Sequence, residues 1–455
     1  MNRKTLIAGA IFAGLVLVTI GLLRSPEKGT RPAGERPRPV PKLKAGDFDA
    51  LEVTKGGATT VMKKQGDGYQ IVKPIDYAAD KDGAKSAFEA IEKLEFHDIV
   101  SDQKSRHSEF EVGDGSLRVA VKKGDKLLAD LRVGKTANDE TLMRIEGKDE
   151  VWAATGFFKY QFDKDTLGWR DKHIAKFQDN EADKIEVVHK TRGRIVVSRP
   201  APSDAGGTPE WRVVESGIKV EPFDKMAPPD LVTAFCTLLA NDFADNAKPE
   251  ETGLDSPENT ITVTIRNGKQ YRILIGKKKG EDDAYVKMAD QPQVFLIKKY
   301  TFDRLNKRPI DFRDKTICNL TAAEVTEVAV ARDKDPFIIA RQPGKTGDQE
   351  WKVIKPAGMA PDISKANAIA GSFIEWKAQG YAEDNSPKAT GLGKPTMTVN
   401  VKSNVKGHAC TLKVGGETTD KSNHYVMANN QPDILVVANW GIDRVAAKLD
   451  ELKKK

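Results

Sequence analysis

A pattern that returns three times limits this chain more than any other feature. Tyr69-Gln70-Ile71-Val72-Lys73-Pro74 is echoed by Trp211-Arg212-Val213-Val214 and by Trp351-Lys352-Val353-Ile354-Lys355-Pro356, with the aromatics 142 and 140 residues apart. Leu131-Arg132-Val133-Gly134, Leu274-Ile275-Gly276 and Leu412-Lys413-Val414-Gly415 place their glycines 142 and 139 apart. Phe162-Asp163-Lys164, Phe302-Asp303-Arg304 and Ile442-Asp443-Arg444 fall at steps of 140. A fixed period of this size marks repeated domains, because about 140 residues can bury a core without help from a neighbour.

Apolar alternation supplies the elements. Ile261, Val263 and Ile265 alternate with threonines, Asn267-Gly268 marks a two-residue hairpin turn with positive φ at both positions, and Tyr271, Ile273 and Ile275 return. Leu117–Val121 with Leu127–Val133, and Met397–Val401 with Cys410–Val414, repeat the hairpin. Helical spacing appears over Ala84–Leu94, over Leu231–Leu239, and at Ala366, Ile369, Ala370 and Phe373. Closing helices are expected near Phe157–Phe162 and Lys299–Leu305, and the Lys453–Lys455 tail should fray. The expected fold class is α+β: three tandem related modules of mainly antiparallel sheet, each with one or two helices, at 47–178, 179–318 and 319–455.

Residues 1–23 are expected to form a membrane anchor. Leu6–Leu23 is an uncharged run of eighteen residues, about 27 Å as a helix, close to the thickness of a hydrocarbon core. No small-x-small cleavage site follows it, so an uncleaved single-pass helix is expected rather than a signal peptide. Residues 24–46, with Pro26, Pro32, Pro37, Pro39 and Pro41, read as a basic, extended, unpacked linker with a reach of roughly 70 Å at most. Orientation signals oppose each other. Basic residues after the helix favour a cytoplasmic body, whereas a short basic N-terminus before one apolar run is the export layout. The expectation adopted is an inner-membrane protein with its modules in the periplasm.

Charge argues against nucleic acid. Of 73 Lys and Arg and 66 Asp and Glu in the chain, residues 1–46 hold nine and two, so the rest is formally neutral. A generally basic folded body, as duplex binding requires, is absent.

No phosphate loop of Walker type, GxGxxG, GxSxG or HExxH occurs. His408, Cys410 and His424 form the one cluster that merits weighing as a metal site, but their spacing fits no standard zinc pattern. Cys236, Cys318 and Cys410 indicate no disulfide framework, and Cys410 reads as a strand core residue. No catalytic, cofactor or metal residue is therefore assigned, and no binding residue is singled out. Trp169-Arg170-Asp171-Lys172 and Phe312-Arg313-Asp314-Lys315 read as clamps closing each module against the next, with a ligand or partner contact at module edges as the other reading. Tyr69, Trp211 and Trp351 read as core anchors.

The Trp-x-Val/Ile strand, the turns Gly253-Leu254-Asp255-Ser256-Pro257 and Gly391-Leu392-Gly393-Lys394-Pro395, the Leu-x-x-Gly hairpin end and the Phe-Arg-Asp-Lys closure resemble the bacterial domain-of-unknown-function 4340 family. The resemblance runs over the chain beyond the linker. The first module offers Phe110-Glu111-Val112 where the others have Gly-Leu, and the third lacks the Arg-Asp closure. The resemblance implies a single N-terminal membrane helix, an envelope location and an accessory role beside ABC-type transport components. It implies no reaction and no cofactor. The expected function is that of a non-enzymatic scaffolding protein with protein partners, with a cell-wall or glycan binder or hydrolase, its site between modules, as the alternative.

Overall fold

A computed structural model describes residues 38–137, 139–157, 159–200, 209–344 and 349–453. The apolar run Leu6–Leu23 and most of the linker lie outside them. Among the described residues no helix is long and apolar enough to cross a membrane. The chain divides into two compact units, up to Asp171 and from Lys172 onward.

Three antiparallel sheets carry the fold, and their strand orders agree. In the second sheet the order is Arg212–Ser216, Gly193–Ser198, Ala182–His189, Asn259–Ile265, Gln270–Lys279, Asp283–Met288, Val294–Lys298 and Asp242–Phe243. The third repeats it from Gln349–Lys355 through Val325–Arg332, Met397–Ser403 and Leu435–Ala438 to Gly380–Tyr381. The first does so from Gly68–Lys73 to Glu95–Ser101, and adds Tyr77–Ala78 outside Gly68–Lys73. One face of each sheet supplies the core, as alternating positions such as Ile261, Val263 and Ile265 become buried together. The helices Lys81–Lys93, Ala227–Cys236 and Ile363–Gly371 each bury an apolar stripe.

The recurrent glycines have a steric cause. A Cβ on Gly134, Gly276 or Gly415 would stand 2.1, 2.2 or 2.1 Å from the carbonyl oxygen of Phe110, Thr252 or Thr390. The next residue in each turn, Glu111, Gly253 or Gly391, has φ of 58, 67 or 69°. Phe110-Glu111-Val112 is thus the first sheet's version of the Gly-Leu turn, with a glutamate bearing the left-handed strain that glycine avoids.

The closure is built from backbone. Asp80 N–H donates to the Trp169 carbonyl (2.8 Å), and Asp171 N–H to that of Ala78 (2.9 Å). Asp224 and Phe312 (2.8 Å), then Asp314 and Pro222 (2.7 Å), repeat the pair. In the third sheet Asp362 N–H donates to Leu452 (2.7 Å), and Pro361 bridges Lys453. The closure therefore recurs where the Arg-Asp side chains do not, and Lys453 is held rather than frayed. Each aspartate also accepts from a helix-entry N–H, that of Gly83, Met226 or Ser364.

Several expectations need correction. Only Gly268 has positive φ at the Asn267-Gly268 turn. Gly268 N–H closes onto the Ile265 carbonyl at 2.8 Å, giving an ordinary turn that ends in a left-handed glycine. The first closing helix is a single tight turn at Lys159–Gln161. The end of the linker is packed: Val40 and Leu43 are buried in the first unit's core, and Lys42 pairs with Glu95 at 2.5 Å. Two apolar side chains, one between Pro39 and Pro41 and one just after them, suffice to dock a segment whose composition reads as solvated. Cys318 and Cys410 are joined in a disulfide, with Cα atoms 6.0 Å apart. Cys410 is the core residue expected, but not a free thiol. Strand Thr316–Cys318, paired with Trp376–Lys377, carries its partner to it.

Candidate functional site: a polar cleft between the second and third sheets

Within the unit from Lys172 onward, a cleft of about 780 Å³ opens between the second and third sheets. Its volume lies within the range of small-molecule sites. One wall is the tight turn Pro309–Phe312, whose proline occupies the first helical position, where no N–H is needed. The short edge strand Gly380–Tyr381 lines it as well, against that turn.

The wall is held by one ion pair. Arg308 donates from Nε and Nη2 to the two Asp311 carboxylate oxygens at 3.0 and 2.8 Å, and Nη2 also reaches the Tyr381 carbonyl at 2.8 Å. Burial pushes the Asp311 carboxyl up, but the Arg308 hydrogen bonds and charge outweigh it and hold the group below the usual carboxylate range. Lys315 Nζ donates to the Asp311 carbonyl at 2.8 Å. Burial pushes the Tyr381 hydroxyl up to about 12, and it donates to the Asp314 carbonyl at 2.7 Å.

Fully buried Asn259 fixes the floor. Its Nδ2 donates to the Lys307 carbonyl at 2.6 Å and to Asn306 Oδ1 at 3.3 Å. Burial lowers the Lys307 ammonium, and its nearest hydrogen-bond acceptor is the Asp303 carbonyl at 3.4 Å. His189, at the end of strand Ala182–His189, is buried and depressed by that burial. Its Nδ1 accepts from Thr191 N–H at 3.3 Å.

The Phe312-Arg313-Asp314-Lys315 motif continues from this turn, and its Lys315 itself lines the cleft. Arg313 pairs with Asp433 and donates to Gln431 Oε1 at 3.2 Å. Asp314 Oδ1 accepts from Thr316, and Lys315 lies 3.7 Å from Asp224. The motif therefore joins the second sheet to the third, but not as an Arg-Asp pair. Each charge finds a partner outside the motif. Trp169 is buried, and the Arg170 guanidinium covers the Tyr77 ring at 4.5 Å.

The weighed metal cluster is not assembled. His408 lies before strand Ala409–Glu417, with Nδ1 3.2 Å from Glu324, while His424 pairs opposite Glu417 at the strand's far end. Among the described residues no group of three His, Cys, Asp or Glu is placed to hold a metal ion. Trp351 is buried and Nε1 donates to Asn367 at 2.8 Å. Arg341 covers its ring, as Arg199 covers that of Trp211.

Sequence reasoning missed a second repeated feature. Tyr160, Tyr300 and Trp440 stand at steps of 140 and are 72, 70 and 57% exposed. The signal was available: each lies two residues before a landmark of the repeat. The cleft had no such signal, because its walls come from residues 189–192, 302–315 and 379–389.

A protein-family model described as a domain of unknown function (DUF4340) matches residues 70–257 and again residues 250–395. The first match begins within the first sheet and ends in the second, and the other begins in the second and ends just before strand Met397–Ser403 of the third. No curated protein matches the chain.

Proposed function

Given that the chain belongs to the DUF4340 family, we propose that it is a membrane-tethered scaffolding protein of the bacterial envelope, with three related modules outside the cytoplasm and no reaction of its own. The observation that carries this reading is how the charged groups are used at the sheet junction. Arg308 and Asp311 neutralise each other, and Arg313 is spent on Asp433. Asp311 is held ionised and Tyr381 protonated, so neither is poised to exchange a proton near neutral pH. Such a junction fixes one sheet against the next and leaves outer surfaces for partners. The Cys318–Cys410 disulfide supports an oxidising compartment. The uncharged run Leu6–Leu23 supports the tether, and the family resemblance supports an ABC-type transport complex as the assembly served.

Crosslinking in intact membranes, followed by native electrophoresis, tests this. The expected result is a complex larger than the single chain. A protein that stays monomeric at native abundance overturns the assembly reading.

A second reading has its own support. The polar cleft is large enough for a sugar or short peptide, which favours a glycan-binding role. Retention on purified peptidoglycan is expected under it, and free passage removes it.

A further inference from the structure

Ion pairing in the cleft leaves a half-buried cation over. Asp311 is taken up by Arg308. The Asp303 carboxylate pairs with Lys299 at 2.7 Å, and Asp224 lies against Lys315 at 3.7 Å. The Asp384 carboxylate accepts from Ser386 N–H, and that of Asp420 from Thr418 and Ser422. Among the described residues no carboxylate lies within ion-pair distance of Lys307, which has only the Asp303 carbonyl at 3.4 Å. A half-buried ammonium without an ion-pair partner is unfavourable: burial, helped by the Lys315 and Arg304 charges, pushes it toward the neutral form against the more distant attraction of Asp311 and Asp230. Asn259 and the turn Pro309–Phe312 nevertheless hold Lys307 at the cleft surface.

We propose that this cleft binds a small polar ligand bearing a single carboxylate, such as an acidic sugar, with the carboxylate seated on Lys307. The inference rests on the second reading above, the cleft as a ligand site, and not on the tether or the assembly. The exposed carboxylates Glu258, Glu383 and Asp384 line the same cleft. They are placed to accept hydrogen bonds from ligand hydroxyls, while the exposed cations Arg192 and Lys278 on the same lining leave its rim mixed in charge.

The test uses the intact chain, with D-glucuronate and its uncharged counterpart D-glucose as probes. Lysines are acetylated briefly at neutral pH and mapped by mass spectrometry. Glucuronate is expected to suppress labelling of Lys307 severalfold and to leave exposed Lys365 unchanged, while glucose does neither. Glucuronate should also raise the thermal midpoint of the native chain but not of Lys307→Met. Without ligand, Lys307→Met should be at least as stable as the native chain, because it removes an unpaired charge, whereas loss of a structural lysine would lower the midpoint. Equal protection by glucose, no protection by glucuronate, or a glucuronate-induced shift retained in Lys307→Met overturns the proposal. Membrane crosslinking is unaffected by any of these results, so failure here is distinguishable from failure of the assembly reading.

Discussion

Cys318 and Cys410 are joined across 92 residues of sequence, bringing the strand that leaves the second sheet onto the central hairpin of the third. Closing so long a loop limits the unfolded chain. Cys410→Ser is therefore expected to cost about 2–4 kcal/mol, read by urea unfolding with and without reductant. In extracts alkylated before reduction, Cys318 and Cys410 should be protected, and part-exposed Cys236 should be modified. Modification of all three cysteines would place the chain in a reducing compartment.

Gly276→Ala pushes a methyl group into the Thr252 carbonyl, 2.2 Å from where its Cβ must lie. Backbone has little room to yield there, and a loss of about 3 kcal/mol or more is expected. Gly134→Ala and Gly415→Ala should behave alike. Gly371→Ala is the control: its Cβ meets nothing within 4 Å at the end of a helix, so it should be neutral or stabilising by up to about 1 kcal/mol. Thermal melts of the four variants settle the comparison.

Trp351 and Trp440 should differ sharply. Trp351→Ala empties a buried site and breaks the bond to Asn367, at a cost of about 3–5 kcal/mol. Trp440→Ala and Tyr300→Ala remove exposed rings and should shift stability by no more than about 0.5 kcal/mol. A large loss on Trp440→Ala would show its ring to be part of the packing.

His189 gives a pH signature. Its folded-state value lies below the ordinary 6.5 because burial disfavours the charged ring. Between the two values the unfolded chain binds more protons, so stability rises with pH there. The contribution is complete above the unfolded value and is lost as pH falls through the folded one. His189→Gln should flatten the stability curve in that acidic window and leave it little changed in slope above neutrality.

Much of the fold was legible because alternation and the period carry it. Ile261–Ile265 and Leu412–Val414 point inward as their spacing requires, and the landmark glycines fall at one equivalent place in each sheet. The Cys318–Cys410 bond was not legible, since the two cysteines are 92 residues apart and Cys318 sits on a short strand whose pairing with Trp376–Lys377 has no periodic signal. Nor was the closure at Leu452, which is made by a backbone N–H and a backbone carbonyl, groups that do not distinguish one residue type from another. The Glu95–Ser101 edge strand was missed because its burial does not alternate, and its counterparts Asp242–Phe243 and Gly380–Tyr381 are only two residues long. The cleft was hidden for a related reason: Lys307, Arg308 and Tyr381 have no shared periodicity, and only the docking of one sheet on another gives them a common surface.

The bonds from Asp80, Asp224 and Asp362 to Trp169, Phe312 and Leu452 also bear on manufacture. Each latch joins the middle of a repeat to that repeat's last turn. A chain threaded out of a ribosome or a secretion pore in order can therefore lock the first segment as soon as its final residues emerge, before the second and third have been delivered. An arrangement of this kind shortens the time that a half-made sheet stands open to proteases and to its neighbours.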